Sequence, residues 1–554
     1  MNKKTASIEP VVLIVLFLIA GTLGHDPWKQ DETYSFGIIH HFLKTHTWLV
    51  PVNAGIAFME KPPLYYWTAV VFTKVFGGVL MQHDTARLAS FCYMLITVRF
   101  LWLTSQVLFA SRPDRKTLGW ITITLLLGSA GLVRHAHDMF TDVALLSGTT
   151  ITLYGFALLA CAPERFQRSG FWIGAGYGVA FLSKGLFVPA LLGATGVAML
   201  VALPEVRTRR TLRALLIALA TAAPFLLLWP VLLYRHSPTL FMEWFWENNV
   251  GRFLGFSVGK LGAGNEPFYF LRSTPWFAFP GVWFAAAETL SRIRCGWRKP
   301  EYLLPLAVAV IGLTLLCVSA SARALYLIPL LPAFALLGAP ALSRLPAAAL
   351  IRWNALVRIL ISVLALLLWC VWWSLHRGAA GPLAPLAHFA GRWLPLDFVP
   401  AASEVPAVIM AGVLSGFWIA SLRFDMRTPL NTARIWLAAV AVVWGVAMTL
   451  LLPWIDAVKS YRIPLAEMLA AAHASPYKNS PIGSYDLGES LAPMLEYATD
   501  QTPVNQLPKD RGPCTLLFTR AKMNVPTDID PNWHLIWSGA RPLDPVESLR
   551  LYSR

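Results

Sequence analysis

Two carboxylates, Asp31 and Glu32, stand side by side in WKQDETYSFG, directly after the first apolar run of this 554-residue chain. An acid meets a base again in Glu60-Lys61-Pro62-Pro63, and RHAHDMFTD supplies Arg134, His135, His137, Asp138 and Asp142. Ser183-Lys184-Gly185 interrupts an otherwise continuous apolar stretch, Arg252 lies within the long segment 235–274, and Arg323 precedes Tyr326. Residues of these types carry proton transfer, stabilisation of developing charge and metal ligation. Each also has a plainer reading. Adjacent acids at a helix start complement its dipole, and Thr33 and Tyr34 would then open an interfacial helix. Lys61 before two prolines is a turn, His135 and His137 alternate across a loop, and Lys184 snorkels from a hairpin.

What decides between these readings is where the residues sit. The chain is 56% hydrophobic and 14% charged, with 23 Trp and 31 Phe, far more apolar surface than a soluble core can absorb. Apolar runs of about 16 to 22 residues suit helices crossing a core of about 30 Å and are too long for barrel strands. An all-α polytopic membrane protein is therefore expected. The net charge of +16 is spread over short basic clusters between the apolar runs, which marks them as cytoplasmic loops and speaks against nucleic acid as a partner. The basic start and apolar run at 11–24 lack a small-residue cleavage site and read as an uncleaved first helix. Of six cysteines, Cys92, Cys161, Cys317 and Cys370 fall in or beside apolar runs, Cys295 in a basic loop and Cys514 in the polar carboxyl-terminal part, so no structural disulfide is expected.

Counting crossings isolates one run. Lys3, Lys4 and the cluster RPDRK (112–116) belong on the same side, yet three apolar runs separate them. One run must stay on one face. PPLYYWTAVVFTKVFGGVLM (62–81), with its Lys74, paired glycines and aromatic start, reads as an interfacial helix. Residues 25–87 then form one long non-cytoplasmic loop. Spans follow near 88–110, 117–134, 143–161, 170–183, 186–203, 214–234, 275–290, 302–320, 325–342, 358–375, 405–422 and 435–453, about thirteen with the first. This divides the chain into a membrane domain, 1–454, and a small α/β domain, 455–554, with strands expected in PIGSYDLGES, GPCTLLFTR and NWHLIWSGARP. The five loops that carry the polar residues named above all fall on the outer face.

The order Asp31-Glu32 after the first span, Glu60-Lys61-Pro62-Pro63 ahead of an aromatic interfacial helix, Asp142 opening the fourth span, Ser183-Lys184-Gly185, and Arg323 ahead of Tyr326 and Pro329 resembles the GT-C glycosyltransferases. Among these it is similar to bacterial relatives of protein mannosyltransferases and to the transferases that place aminoarabinose on lipid A. Asn265-Glu266-Pro267 and Trp246-Glu247-Asn248-Asn249 depart from the pattern of many such relatives. The resemblance implies about thirteen helices, two juxtamembrane helices in the first periplasmic loop and a periplasmic carboxyl-terminal domain, in a bacterial inner-membrane enzyme with a cytoplasmic amino terminus. It implies transfer of a sugar, 4-amino-4-deoxy-L-arabinose, from undecaprenyl phosphate to lipid A phosphate. A protein O-mannosyltransferase, another glycan-modifying enzyme, and a lipid-sugar flippase remain as alternatives.

On that reading Asp31 is the catalytic carboxylate, with Asp142, Glu60 and Lys61 in the catalytic set. Lys61, Lys184, Arg252 and Arg323 neutralise the leaving phosphate, and Glu32, Tyr34 and Tyr326 line the substrate site. A divalent metal such as Zn, Mg or Mn would find ligands in Glu60, Asp142, His135, His137 and Asp138. The glycine-rich segment 235–274 reads as a lid whose aromatics hold a prenyl chain. Because neighbours on a helix point about 100° apart, only one of Asp31 and Glu32 is expected to face the site.

Overall fold

A computed structural model describes residues 8–261, 264–292, 296–377, 381–400, 404–477, 480–507, 514–523, 525 and 529–554; Lys3, Lys4, Gly262 and Cys295 lie outside these described residues. Helix α1 (Ile8–Ile19) is wholly apolar but for Glu9, and α2 (Asp31–Thr45) starts on the acid pair. Acids in the first turn of α2 and Lys44 in its last complement the two ends of its dipole. After a small hairpin, β1 (Val52–Asn53) and β2 (Ile56–Ala57), the two prolines at 62 and 63 delay helix formation until α3 (Leu64–Phe76).

Helix α3 has 13 residues, a length of about 20 Å against a hydrocarbon core of about 30 Å. Both its ends meet the same face of the protein. Lys61, just ahead of it, donates to the Tyr34 hydroxyl of α2. At its far end Thr73 accepts from Thr85 in α4 (Gln82–Leu108), next to Asp84, whose carboxylate accepts the amide of Gly24 beyond the end of α1 at 3.0 Å. The expected interfacial helix is therefore a helix that returns to the side on which it began.

The helices α5 (Arg115–Leu127), α6 (Ala130–His135), α7 (Thr141–Cys161), α8 (Phe166–Lys184), α9 (Phe187–Ala202) and α10 (Arg209–His236) follow, and among the described residues seven more α-helices lie between 281 and 450. Among the described residues seven helices are long and apolar enough to cross a membrane, and the chain is a multi-pass membrane protein. Two expected spans are broken. The run 117–134 splits at Gly128-Ser129, where a Cβ on Gly128 would lie 2.1 Å from the Trp436 indole nitrogen, so the bare glycine makes room for that ring. The run 275–290 splits at Pro280, between Tyr269–Phe277 and Gly281–Arg292. Segment 235–274, expected as a lid, is folded for most of its described length into short helical turns, including a π-helix over Glu243–Gly251.

Helices α7 and α8 form a tight antiparallel pair because glycines let their backbones touch: a Cβ on Gly148 would come within 2.6 Å of the Ala180 amide nitrogen, and one on Gly155 within 2.7 Å of that of Ile173. That pairing sets the first turn of α7 beside the last turn of α8.

The carboxyl-terminal part is a five-stranded sheet in the order β4-β3-β5-β7-β6. Its strands are β3 (Ile482–Tyr485), β4 (Val504–Asn505), β5 (Leu516–Lys522), β6 (His534–Gly539) and β7 (Glu547–Ser553). Helices Arg462–Ala474 and Gly488–Thr499 accompany it. Strands β4 and β7 were not anticipated, although ESLRLYS alternates and buries Leu549 and Leu551 completely. The helix Leu452–Lys459 straddles the expected boundary at 455. The domain keeps a small cluster of its own, Leu517, Trp533 and Tyr552, while Leu491, Leu495 and Phe518 belong to the same hydrophobic cluster as the membrane helices.

One buried ion pair ties these parts together. Arg87, fully buried in α4, donates its Nε to Glu32 Oε1 at 2.8 Å, its Nη1 to the His25 carbonyl at 2.7 Å and its Nη2 to the Asp26 carbonyl at 2.8 Å. Glu32 also accepts the amides of Trp28 and Met139, each at 2.9 Å. The Trp28 indole in turn donates to Asp456 at 3.0 Å, and Arg462 pairs with the same carboxylate at 2.9 Å.

Two outcomes follow from this fold. Cysteine placed at Gly78, an open position at the exposed end of α3, will be labelled in intact cells by a membrane-impermeant thiol reagent; labelling only after the cytosol is opened would contradict the placement of α3. Replacing Arg87 by Met strands the Glu32 carboxylate without its cation and is expected to cost about 3–5 kcal/mol, read as a lowered melting temperature in detergent.

Candidate active site

Asp31 is the first residue of α2 and Glu32 the second, and the helix sends them apart. Glu32 turns inward to Arg87 and to two backbone amides; its carboxyl is held well below the usual range because Arg87 outweighs the burial that would raise it. The expectation that Glu32 lines a substrate site is thus corrected: its oxygens are occupied by the protein itself. Asp31 faces the other way and accepts the Tyr34 hydroxyl at 2.6 Å. Tyr34 stays protonated, since burial and then the Asp31 charge push its hydroxyl well above the ordinary value. The same hydroxyl receives Lys61, whose ammonium also rests 4.6 Å from the centre of the Tyr34 ring. A relay of Asp31, Tyr34 and Lys61 results.

Lys61 and Glu60 come from the turn ahead of α3 and line a cavity of about 400 Å³. Its other polar walls are Asp142 from the first turn of α7, Lys184 from the last turn of α8, Arg252, and Tyr326. The α7–α8 pairing delivers Lys184 onto Asp142 as an ion pair, and Lys184 lies 4.7 Å from the centre of the Tyr326 ring. Arg252 bonds Glu60 at 2.9 Å. The rest of the wall is mostly apolar, with Leu145, Phe187, Val188, Leu315 and Leu316, and adds the uncharged polar side chains of Asn248, Asn249, Ser319 and Ser321. Asp31, Tyr34 and Arg323 stand beside this cavity rather than on its surface, and Asp31 reaches it through Tyr34 and Lys61.

The charges are unevenly matched. Lys61, Lys184, Arg252 and Arg323 face Asp31, Glu60 and Asp142, and among the described residues neither Lys61 nor Arg323 has a carboxylate within ion-pair distance. Burial would raise the Asp31 carboxyl, but Lys61, the Tyr34 hydroxyl, Arg323 and Lys184 together hold it below the usual carboxylate value. Glu60 is treated likewise: Arg252 and Lys61 overcome burial and keep it low. Both carboxylates are ionised throughout the neutral range. A cation-rich mouth above an apolar cavity suits an anion that carries a hydrocarbon tail.

The five expected metal ligands do not assemble. His137 is buried with Nδ1 3.0 Å from the Val133 carbonyl and Nε2 2.8 Å from the Phe17 carbonyl, which leaves no nitrogen for a metal. His135 pairs with Asp138 at 2.8 Å, Glu60 with Arg252 and Asp142 with Lys184. No group of three His, Cys, Asp or Glu side chains among the described residues is arranged to hold a cation.

Two contributors escaped the sequence reading. Asn249 Oδ1 accepts the amide of Leu186 at 3.0 Å and thereby anchors the π-helical segment to the α8–α9 turn. Glu489, at the start of the helix Gly488–Thr499, is close enough for Glu60, Lys61, Arg252 and Arg323 to act on its charge. An Asn-Asn pair inside the apolar FMEWFWENNV was a visible signal for the first. Nothing local marked the second, since only the docking of the sheet domain brings it in.

Residues 60–234 match the family described as dolichyl-phosphate-mannose-protein mannosyltransferase. Over 347 residues the chain is 24% identical to an undecaprenyl phosphate-α-4-amino-4-deoxy-L-arabinose arabinosyl transferase of Pseudomonas savastanoi pv. phaseolicola, covering 60% of this chain and 61% of the relative. A homologue of the same description from Pseudomonas fluorescens is 25% identical over 325 residues, 54% of this chain and 52% of its own length. The chain thus spans between about half and three fifths of these relatives. The crystal structure of ArnT from Cupriavidus metallidurans bound to undecaprenyl phosphate superposes with a TM-score of 0.70 at 17% identity, covering 100% of this chain and 98% of that one. The chain shares the fold of that structure along its whole length.

Gly185 joins α8 to α9 with φ 90° and ψ −140°, a conformation that L residues rarely adopt, and a Cβ there would sit 2.0 Å from Asn249 Oδ1. Gly185→Ala is expected to lower stability by about 1–3 kcal/mol, seen as an earlier thermal transition of the purified protein.

Proposed function

We propose that the chain is a glycosyltransferase that moves 4-amino-4-deoxy-L-arabinose from undecaprenyl phosphate to a phosphate of lipid A at the outer face of the bacterial inner membrane. Its amino terminus would be cytoplasmic and its sheet domain periplasmic. The observation that carries the reading is the group of cations at a largely apolar cavity, Lys61, Lys184 and Arg252 on its wall and Arg323 beside it, of which Lys61 and Arg323 have no carboxylate partner among the described residues. The full-length likeness to an undecaprenyl-phosphate-bound structure supports it.

In the reaction the bond between the anomeric carbon and the carrier phosphate breaks, and an oxygen of the acceptor phosphate forms the new bond. The carrier phosphate gains one negative charge as it leaves. Lys61 and Arg323, uncommitted in the resting enzyme, meet that charge, while Arg252 and Lys184 are held in place by Glu60 and Asp142. The apolar wall takes the first isoprene units. Positive charge grows on the anomeric carbon, and the Asp31 carboxylate stabilises it.

Asp31 also bears on the acceptor. A carboxylate held below its ordinary range is a weak proton acceptor, which suits an acceptor that arrives ionised, such as a phosphate, better than a serine or threonine hydroxyl. The mannosyltransferase match covers 60–234 and leaves Asp31, Arg252 and Arg323 outside. A flippase would place its charges mid-membrane, whereas Arg99, the charge near the middle of α4, is exposed and belongs to neither cavity described in this chain.

Asp31→Ala and Lys61→Ala should each reduce aminoarabinose on lipid A by about 100-fold or more while the protein still reaches the membrane, as read by mass spectrometry of purified lipid A. Normal product from both variants would end the proposal. Since the folded-state value of Asp31 is depressed, its charge persists as the pH falls through about 5. The rate should therefore show no acidic limb between about pH 5 and 7 that Asp31→Asn removes.

A further inference from the structure

Past Glu60 a second cavity opens, of about 630 Å³, between the β1–β2 hairpin and the sheet domain. Glu60 and Asn248 belong to the walls of both cavities, so the two adjoin at these residues. The second differs in kind from the first. Four carboxylates line it, Glu60, Glu243, Asp486 and Glu489, and no Lys or Arg among the described residues does.

Two of these acids have cations behind them: Glu60 holds Arg252 at 2.9 Å, and Asp486 lies 3.7 Å from Arg520. Glu243 and Glu489 have no ion-pair partner among the described residues. Burial raises both carboxyls, helped by Glu247 beside the first and by Glu60 beside the second. Two carboxylates raised by burial and like charge gain from a cation that enters between them.

An independent sign comes from Asn248, only 8% exposed. Its Nδ2 donates to the Glu243 carbonyl at 3.2 Å, while its Oδ1 accepts nothing. A buried amide oxygen on the wall of a polar cavity lacks a donor that an occupant of the cavity would supply.

We propose that this second cavity receives the cationic head group of the donor sugar, an ammonium-bearing monosaccharide, with Glu243 and Glu489 as its counter-charges and Asn248 Oδ1 as a further acceptor. The inference rests on the reading of the chain as a polyprenyl-phosphate sugar transferase and deepens it. The phosphate stays with the cations of the first cavity, and the sugar ring extends past Glu60 into the acidic chamber. The sheet domain thereby acquires a role. Glu489, on a helix of that domain, selects the sugar rather than merely covering the site. A neutral sugar of the same size would leave Glu243 and Glu489 without a partner, and sites built around a polar group discriminate strongly against analogues that lack it.

The test uses the full-length protein in detergent with two donors, an undecaprenyl-phosphate aminopentose and the same lipid with the amine N-formylated. Glu489 is exposed to the cavity and Glu243 half-buried, so Glu489→Gln, Glu243→Gln and the double variant are expected to fold. Wild type should prefer the amine. The double variant should raise KM for the amino donor about tenfold or more, leave KM for the formylated donor within about twofold, and bring the preference close to one. Equal losses on both donors, or no loss, would overturn the inference. A parallel arm compares acceptors with and without an ammonium substituent; if the variants respond to the acceptor's charge instead of the donor's, the assignment to the donor sugar is wrong. Wild-type transfer from neither donor would defeat the underlying reaction, whereas equal transfer from both would defeat this inference alone.

Discussion

The buried pair of Arg87 and Glu32 is the constraint on which the rest of the arrangement depends. A guanidinium and a carboxylate removed from water cost far more than they return unless every donor and acceptor is used, and here they are: carbonyls of residues 25 and 26, amides of residues 28 and 139, and the two charges themselves. By fixing the loop after α1, the start of α2, the first turns of α4 and the approach to α7 to a single point, the pair sets the rotation of α2. That rotation puts Asp31 toward Lys61.

The site itself is built on a graded use of charge. Asp142 with Lys184 and Glu60 with Arg252 are pairs that hold cations still, while Lys61 and Arg323 keep theirs uncommitted. Rigid pairs come from rigid elements: the α7–α8 contact through Gly148 and Gly155 leaves Asp142 and Lys184 little freedom. Preorganised cations act without reorganising as charge develops. Across Glu60 the balance reverses, from a cation-rich apolar chamber to an acidic polar one, so a ligand with a phosphate at one end and an ammonium at the other meets complementary charge at both.

Much of this was legible in the sequence because membranes impose strong rules. Apolar run length, basic loops and a parity count singled out 62–81 as a helix that does not cross, and the contacts at the two ends of α3 lie on one face. The motifs at Asp31, Glu60-Lys61, Asp142 and Lys184 do converge. Where the reading failed, the cause was tertiary. Glu32 carried the same local signal as Asp31 until Arg87, 55 residues away, claimed it. His137 had the type of a metal ligand but both its nitrogens went to backbone carbonyls, one of them in α1. Gly128 and Pro280 broke helices that hydropathy alone ran together.

By itself, then, the sequence determined the membrane-embedded helical architecture, the face on which the polar loops gather and the residue types at the site, since each follows from solvation of single segments. Which of two adjacent acids faces the cavity, which cations stay unpaired, and that Glu489 belongs to the same chamber as Glu60 were decided only by the tertiary structure. The physical reason is that these depend on partners distant in the chain. A carboxylate's role is set by the nearest opposite charge, and neighbours in space are not written into neighbours in sequence.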